Sequence, residues 1–163
     1  MNIIIKKHSL LYKGYKLKCS IGKSGSTLFK KEGDFSTPKG LFKLGILYYR
    51  KDRLKFIKSN IRKRIIKKNM GWCDDVNYSK KYNKLIKIEK NIKYEKLYRK
   101  DFKYDLLIPI KYNFKNSVIG KGSCIFIHLT KNYQPTAGCI ALKKKDFLIL
   151  LKLINKKTKI KIY

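Results

Sequence analysis

The stretch Ile125-Phe126-Ile127-His128-Leu129-Thr130-Lys131-Asn132-Tyr133-Gln134-Pro135-Thr136-Ala137-Gly138-Cys139 is the most informative in the chain. Its opening continues an alternation that begins at Ser123. Cys124, Phe126 and His128 fall on one face of an extended segment, with Ile125 and Ile127 on the other. Apolar residues on both faces describe a buried strand. At His128 the strand runs out into a polar loop, which returns through a glycine to Cys139 and the short apolar run Ile140-Ala141-Leu142.

Outward from this stretch, most of the chain reads as strands. Asn2 to Lys6 and Tyr15 to Ile21 open it, the second with alternating Tyr15, Leu17 and Cys19. Glycines at 22, 25, 33 and 40, with Pro38, mark a region of turns that ends in the strand candidate Leu41 to Ile46. Asp105 to Ile110 is another buried strand candidate, and Lys159 to Tyr163 closes the chain with alternation. Only Lys145 to Asn155 shows a helical face, through Phe147, Leu148, Leu150, Leu151 and Ile154. The lysine-rich middle, Tyr48 to Lys100, is weakly patterned apart from Met70-Gly71-Trp72-Cys73-Asp74-Asp75. The expected fold is mainly β with some α, in one domain over residues 1–163.

The net charge of +32 is large enough to attract polyanions. Composition supplies another cause. Only five of the 42 basic residues are Arg, Ala occurs twice, and Ile, Asn, Tyr and Phe are plentiful, as an A+T-rich genome would dictate. Base recognition favours Arg forks over Lys point charges, so no specific nucleic-acid partner is expected. No apolar run reaches the ~18 residues of a membrane span, and Lys152 breaks the strongest one. Three isoleucines at the N-terminus fall short of the roughly 7–15 apolar residues of a signal peptide. That start suits a cytoplasmic protein, another export route, or a sequence whose first residue is not the native start.

Cys19, Cys73, Cys124 and Cys139 show no C-x-x-C spacing, which argues for free thiols over zinc ligation or disulfides. Cys19 and Cys124 read as core residues. Cys73 reads as part of a structural corner, or of a substrate-cleft wall built by Trp72. Cys139 is different, because one of the chain's two histidines lies eleven positions before it. In acyl transfer a histidine takes the thiol proton and the thiolate attacks a carbonyl to give a thioester. Gly138 admits a close approach to the backbone, and the amides of Ala137, Gly138 and Cys139 are candidate oxyanion donors. His8, in a basic terminal segment, is the poorer base.

His128 followed by Thr136-Ala137-Gly138-Cys139 resembles the signature of the L,D-transpeptidase catalytic domain of the YkuD type. Gly22-Lys23-Ser24-Gly25, Lys31 to Gly40, and Gly71-Trp72-Cys73-Asp74-Asp75 with Tyr82-Asn83 resemble its compact bacterial branch, in the same order along Gly22 to Leu142. The resemblance implies a sandwich of curved mixed β-sheets, no metal or organic cofactor, and action on peptidoglycan stem peptides in the periplasm or cell wall; a monomer is expected. It makes Cys139 the nucleophile and His128 the base, with the oxyanion held near Gly138. A 3→3 cross-link or exchange of the terminal D-alanine would result. Ala141 and Ala137 stand where many members carry polar residues, which leaves the acyl acceptor open between an amine and water. Transpeptidase, hydrolytic carboxypeptidase or endopeptidase, and non-catalytic polyanion- or wall-binding domain are the competing readings.

Overall fold

A computed structural model describes residues 1–163 and contains fifteen strands and one helix. One five-stranded sheet runs, edge to edge, through Tyr15–Lys18, Ser9–Tyr12, Ile3–Lys6, Lys159–Ile162 and Gly40–Lys43. A second runs through Ile140–Leu142, Phe126–Leu129, Leu106–Pro109, Leu47–Tyr49 and Lys63–Ile65. The two ends of the chain meet in the first sheet, where Ile3 pairs in parallel with Ile160.

Alternation explains how the sheets pack. Ile3, Ile5, Leu10, Leu17, Ile160 and Ile162 point inward from the first sheet. Leu106, Ile108, Ile127, Leu129, Ile140 and Leu142 meet them from the second, and together they fill one core. The helix Lys144–Leu153 closes that core with Phe147, Leu150 and Leu151, all fully buried. The fold is therefore mainly β, with mixed parallel and antiparallel sheets and a single C-terminal helix, as the sequence led us to expect. No helix is long and apolar enough to cross a membrane.

The opposite face of the second sheet carries the site, and the weakly patterned middle of the chain covers it. Three short strands, Leu85–Lys87, Met70–Cys73 and Tyr94–Lys96, form a small sheet. From it Trp72 packs edge-on against Phe126 at 5.3 Å between ring centroids. Tyr48, Ile66, Met70, Leu97, Tyr104 and Leu107 complete this second core. The strand Phe126–Leu129 is thus apolar on both faces because each face meets a different core.

Several boundaries differ from the sequence reading. The strand expected over Tyr15 to Ile21 ends at Lys18 and pairs with an unforeseen strand, Ser9–Tyr12. Lys13 and Gly14 both hold positive φ in the connecting turn (46° and 82°), the geometry that suits the twist of a two-residue hairpin. Cys19 lies in the core as expected. Cys124 precedes the strand, holds φ at 53°, and packs partly buried against the second core. Cys73 is fully buried as the last residue of the strand Met70–Cys73, and the chain turns just beyond it.

Candidate active site

The strands carrying His128 and leading from Cys139 lie side by side and parallel, with Ile127 opposite Ile140 and His128 opposite Ala141. One step back along that register sets Cys139 beside Phe126. Residues two apart on a strand share a face, so Cys139 and Ala141 lie on the same side of the sheet as Phe126 and His128. Both His128 and Cys139 line a cavity of about 430 Å³ with Ala141, Tyr104, Arg99 and Lys103. His8, the other histidine, is exposed in the turn after the first strand and lines neither this cavity nor the one described below.

His128 is 7% exposed. Its Nδ1 lies 2.9 Å from the carbonyl oxygen of Leu129, an acceptor only, so Nδ1 carries the hydrogen and Nε2 keeps the lone pair. Tyr104 packs against the imidazole at 5.4 Å between centroids, inclined by 68°. Burial lowers the His128 pKa to about 4, and the nearby charges of Lys103 and Arg99 act in the same direction. Arg99 is itself held by both carboxylate oxygens of Asp101, at 2.6 and 2.9 Å, and by Glu95 at 3.0 Å.

The Cys139 thiol accepts a hydrogen bond from the Phe126 amide at 3.3 Å and donates one to the Cys124 carbonyl at 3.1 Å. It makes no direct hydrogen bond to His128. Burial pushes its pKa up to about 12, only partly offset by the Phe126 amide and the charge of Lys30. With the imidazole low and the thiol high, both groups are neutral near pH 7. Such a pair moves its proton when the sulfur attacks, rather than holding a thiolate in advance.

The turn before Cys139 is fixed by hydrogen bonds and steric contact. Thr136 Oγ1 donates to the Cys139 carbonyl at 2.6 Å and accepts from the Gly138 amide at 3.1 Å. The Gly138 amide is therefore engaged, contrary to its expected place among the oxyanion donors. The amides of Ala137 and Cys139 have no hydrogen-bond partner. Gly138 holds φ at 136°, and a Cβ there would lie 2.7 Å from the Ser36 carbonyl oxygen. The glycine-rich segment is docked against the turn: the Thr136 amide donates to the Ile21 carbonyl at 2.9 Å, and the Lys23 amide donates to that of Thr136 at 2.8 Å.

On its other side Cys139 opens onto a smaller cavity of about 200 Å³ with Cys124, Lys30, Glu32 and Asp74. Cys124, packed against the second core, also lines this space. Asn83 organises the wall. Its Oδ1 accepts from Trp72 Nε1 at 2.9 Å and from the Cys124 amide at 3.1 Å, and its Nδ2 donates to the carbonyls of Tyr112 and Asn113. Asn83 thereby positions the very residue whose carbonyl receives the thiol hydrogen. Glu32 accepts from Tyr82 and Ser123, and Lys30 pairs with Asp34 at 2.6 Å. Trp72 lines neither cavity at Cys139, so the expectation of a substrate-cleft wall built by it is not met. It lines a third space of about 380 Å³ with Tyr48 and Phe114. Tyr104 and Lys30 are lining residues that sequence reasoning did not find, while Asn83 is quoted there only within the Tyr82-Asn83 motif, without a role.

A Cys and a His side chain on adjacent parallel strands thus face a common cavity, on a β fold with two cores. The profile of the YkuD family, the L,D-transpeptidase catalytic domain, matches residues 3–162, and the chain belongs to that family. No curated protein and no solved structure gives a significant match.

Proposed function

We propose that the chain is a cysteine L,D-transpeptidase that acts on peptidoglycan stem peptides in the periplasm or cell wall. The supporting observation is that the Cys139 thiol and the His128 imidazole share one face and one cavity. Nε2 is left as the basic nitrogen because Nδ1 is tied to Leu129.

In the first half-reaction Cys139 Sγ bonds to the carbonyl carbon of the third stem residue while Nε2 of His128 takes the thiol proton. The unpartnered amides of Ala137 and Cys139 suit the developing oxyanion. The C–N bond to the terminal D-alanine breaks, the imidazolium protonates the leaving amine, and a thioester remains. In the second, the side-chain amine of another stem attacks the thioester and loses its proton to His128. The C–S bond breaks, and the leaving sulfur takes that proton from the His128 imidazolium, which restores the thiol and the neutral base. Water in place of the amine would make the same chain a carboxypeptidase or endopeptidase.

The test is product analysis of purified disaccharide-tetrapeptide after incubation, beside intact-mass measurement after carbapenem exposure. Cross-linked dimer with released D-alanine, and an adduct confined to Cys139, would support the reading. Tripeptide alone would assign the hydrolytic form. Neither product nor adduct would overturn the proposal.

A further inference from the structure

We infer that a lysine-flanked apolar tip, built from the loops around Leu28-Phe29 and Val118-Ile119, docks onto the surface of an anionic lipid bilayer. Leu28 is 73% exposed, Phe29 84%, Phe35 52%, Val118 55% and Ile119 40%. Scattered apolar residues on a surface are ordinary, but five on two neighbouring loops call for a partner.

The loops belong to one flank of the molecule. The Glu32 amide donates to the Gly120 carbonyl at 2.9 Å, and the Lys30 side chain lies against Gly122, where a Cβ would meet its Cγ at 3.0 Å. The tips are also held in shape. Asn113 closes the second loop on both polar atoms of Val118: its Oδ1 accepts from the Val118 amide at 2.8 Å and its Nδ2 donates to the carbonyl at 2.9 Å. In the first loop the Phe29 amide donates to Thr27 Oγ1 at 3.1 Å.

Charge selects the partner. Lys23, Lys31, Lys39, Lys115 and Lys121 are exposed on or beside these loops. The only acids of the first loop, Glu32 and Asp34, are bonded to Tyr82 and Ser123 and to Lys30 respectively, and the second loop has none. The outward face is therefore apolar and cationic, the combination that seats a protein at the headgroup level of an anionic membrane. A soluble polyanion would satisfy the lysines but leave the apolar side chains in water. A second copy of a chain carrying +32 would be repelled. Lys30, Glu32, Gly33 and Phe35 also line the smaller cavity at Cys139, so docking would place that opening close to the lipid surface.

The inference does not depend on the catalytic reading, and a Cys139→Ala chain is expected to dock as well as the wild type. The experiment is cosedimentation with mixed phosphatidylglycerol–phosphatidylcholine vesicles and with phosphatidylcholine alone, at low and high salt. Wild-type chain should bind the anionic vesicles at low salt and weaken as salt rises. The double variant Leu28→Ser, Phe29→Ser should lose at least about tenfold in affinity. Phe56→Ser, which removes a 97% exposed aromatic from the separate Lys51–Ile61 segment, should bind normally. In a Phe29→Trp chain the indole emission should shift to the blue on adding anionic vesicles.

Equal binding by the double variant would mean that charge alone holds the protein, and would overturn the inference. So would absence of binding to anionic vesicles at low salt, equal binding to phosphatidylcholine, an equal loss in Phe56→Ser, or an unshifted emission spectrum in Phe29→Trp. Dimers in sedimentation equilibrium that vanish in the double variant would assign the tip to a second copy instead.

Discussion

His128 stands opposite Ala141, two residues beyond Cys139 on the neighbouring parallel strand, so imidazole and thiol occupy the same face one pleat repeat apart. The backbone pairing of two short strands therefore sets their relation. A slip of one residue would send either side chain into the apolar core on the other face.

Removing either partner should stop turnover without unfolding the chain. Cys139→Ala is expected to abolish release of D-alanine from tetrapeptide, and His128→Gln to reduce it by roughly 10²–10⁴-fold. Circular dichroism should remain native for both. Full activity in Cys139→Ala would refute the assigned nucleophile.

The buried imidazole makes stability fall in acid over a defined window. His128 is at about 4 when folded and near 6.5 when unfolded, so above pH 6.5 neither state binds the proton and the group contributes nothing. Between 6.5 and 4 the unfolded state takes the proton first, and stability falls by about 1.4 kcal/mol per pH unit, or about 3 kcal/mol in all. Urea midpoints of wild type and His128→Gln, compared across that range, should diverge on this slope. The acid limb of activity should likewise lie nearer pH 4 than 6.5, since the base must be neutral.

A thiol at about 12 resists small alkylating agents. At neutral pH iodoacetamide should label Cys139 on the order of a thousandfold more slowly than a free thiol of ordinary pKa, because the thiolate is that much scarcer. Peptide mapping over time checks this. Labelling as fast as free cysteine would mean a thiolate exists at rest.

Gly138→Ala combines a strained φ of 136° with a collision at the Ser36 carbonyl. It should cost about 1–3 kcal/mol in stability or more, and most of the activity, through movement of the sulfur. Thr136→Val removes the two hydrogen bonds that fix the same turn and should lower activity while costing about 1–3 kcal/mol. Urea midpoints and D-alanine release, measured side by side, check both variants.

The sheet strands are readable wherever apolar periodicity is strong. Ile3–Lys6, Phe126–Leu129, Ile140–Leu142 and the helix Lys144–Leu153 all follow their residue patterns to within a few positions. The hairpin at Ser9–Tyr12 escapes a sequence reading because Lys13-Gly14 is not a usual signal for such a turn. The cover over the site is not readable either. Its strands are three or four residues long, and what fixes them is long-range: Trp72 on Phe126, and Asn83 bonded to Cys124 and Asn113. Alternation alone also places Cys124 in the strand, whereas the strand begins at Phe126 and Cys124 holds a positive φ before it. The common face of His128 and Cys139 needs the register of two parallel strands as well, which their spacing in the sequence does not give.

The contact between Gly138 and Ser36 gives the early glycine-rich segment authority over where the sulfur points. Rearranging the gene so that this segment is lost or relocated would leave the second sheet able to assemble around a misaimed thiol. The aim of the Cys139 thiol is thus a property of the assembled whole, and no fragment beginning after Ser36 should keep it in place.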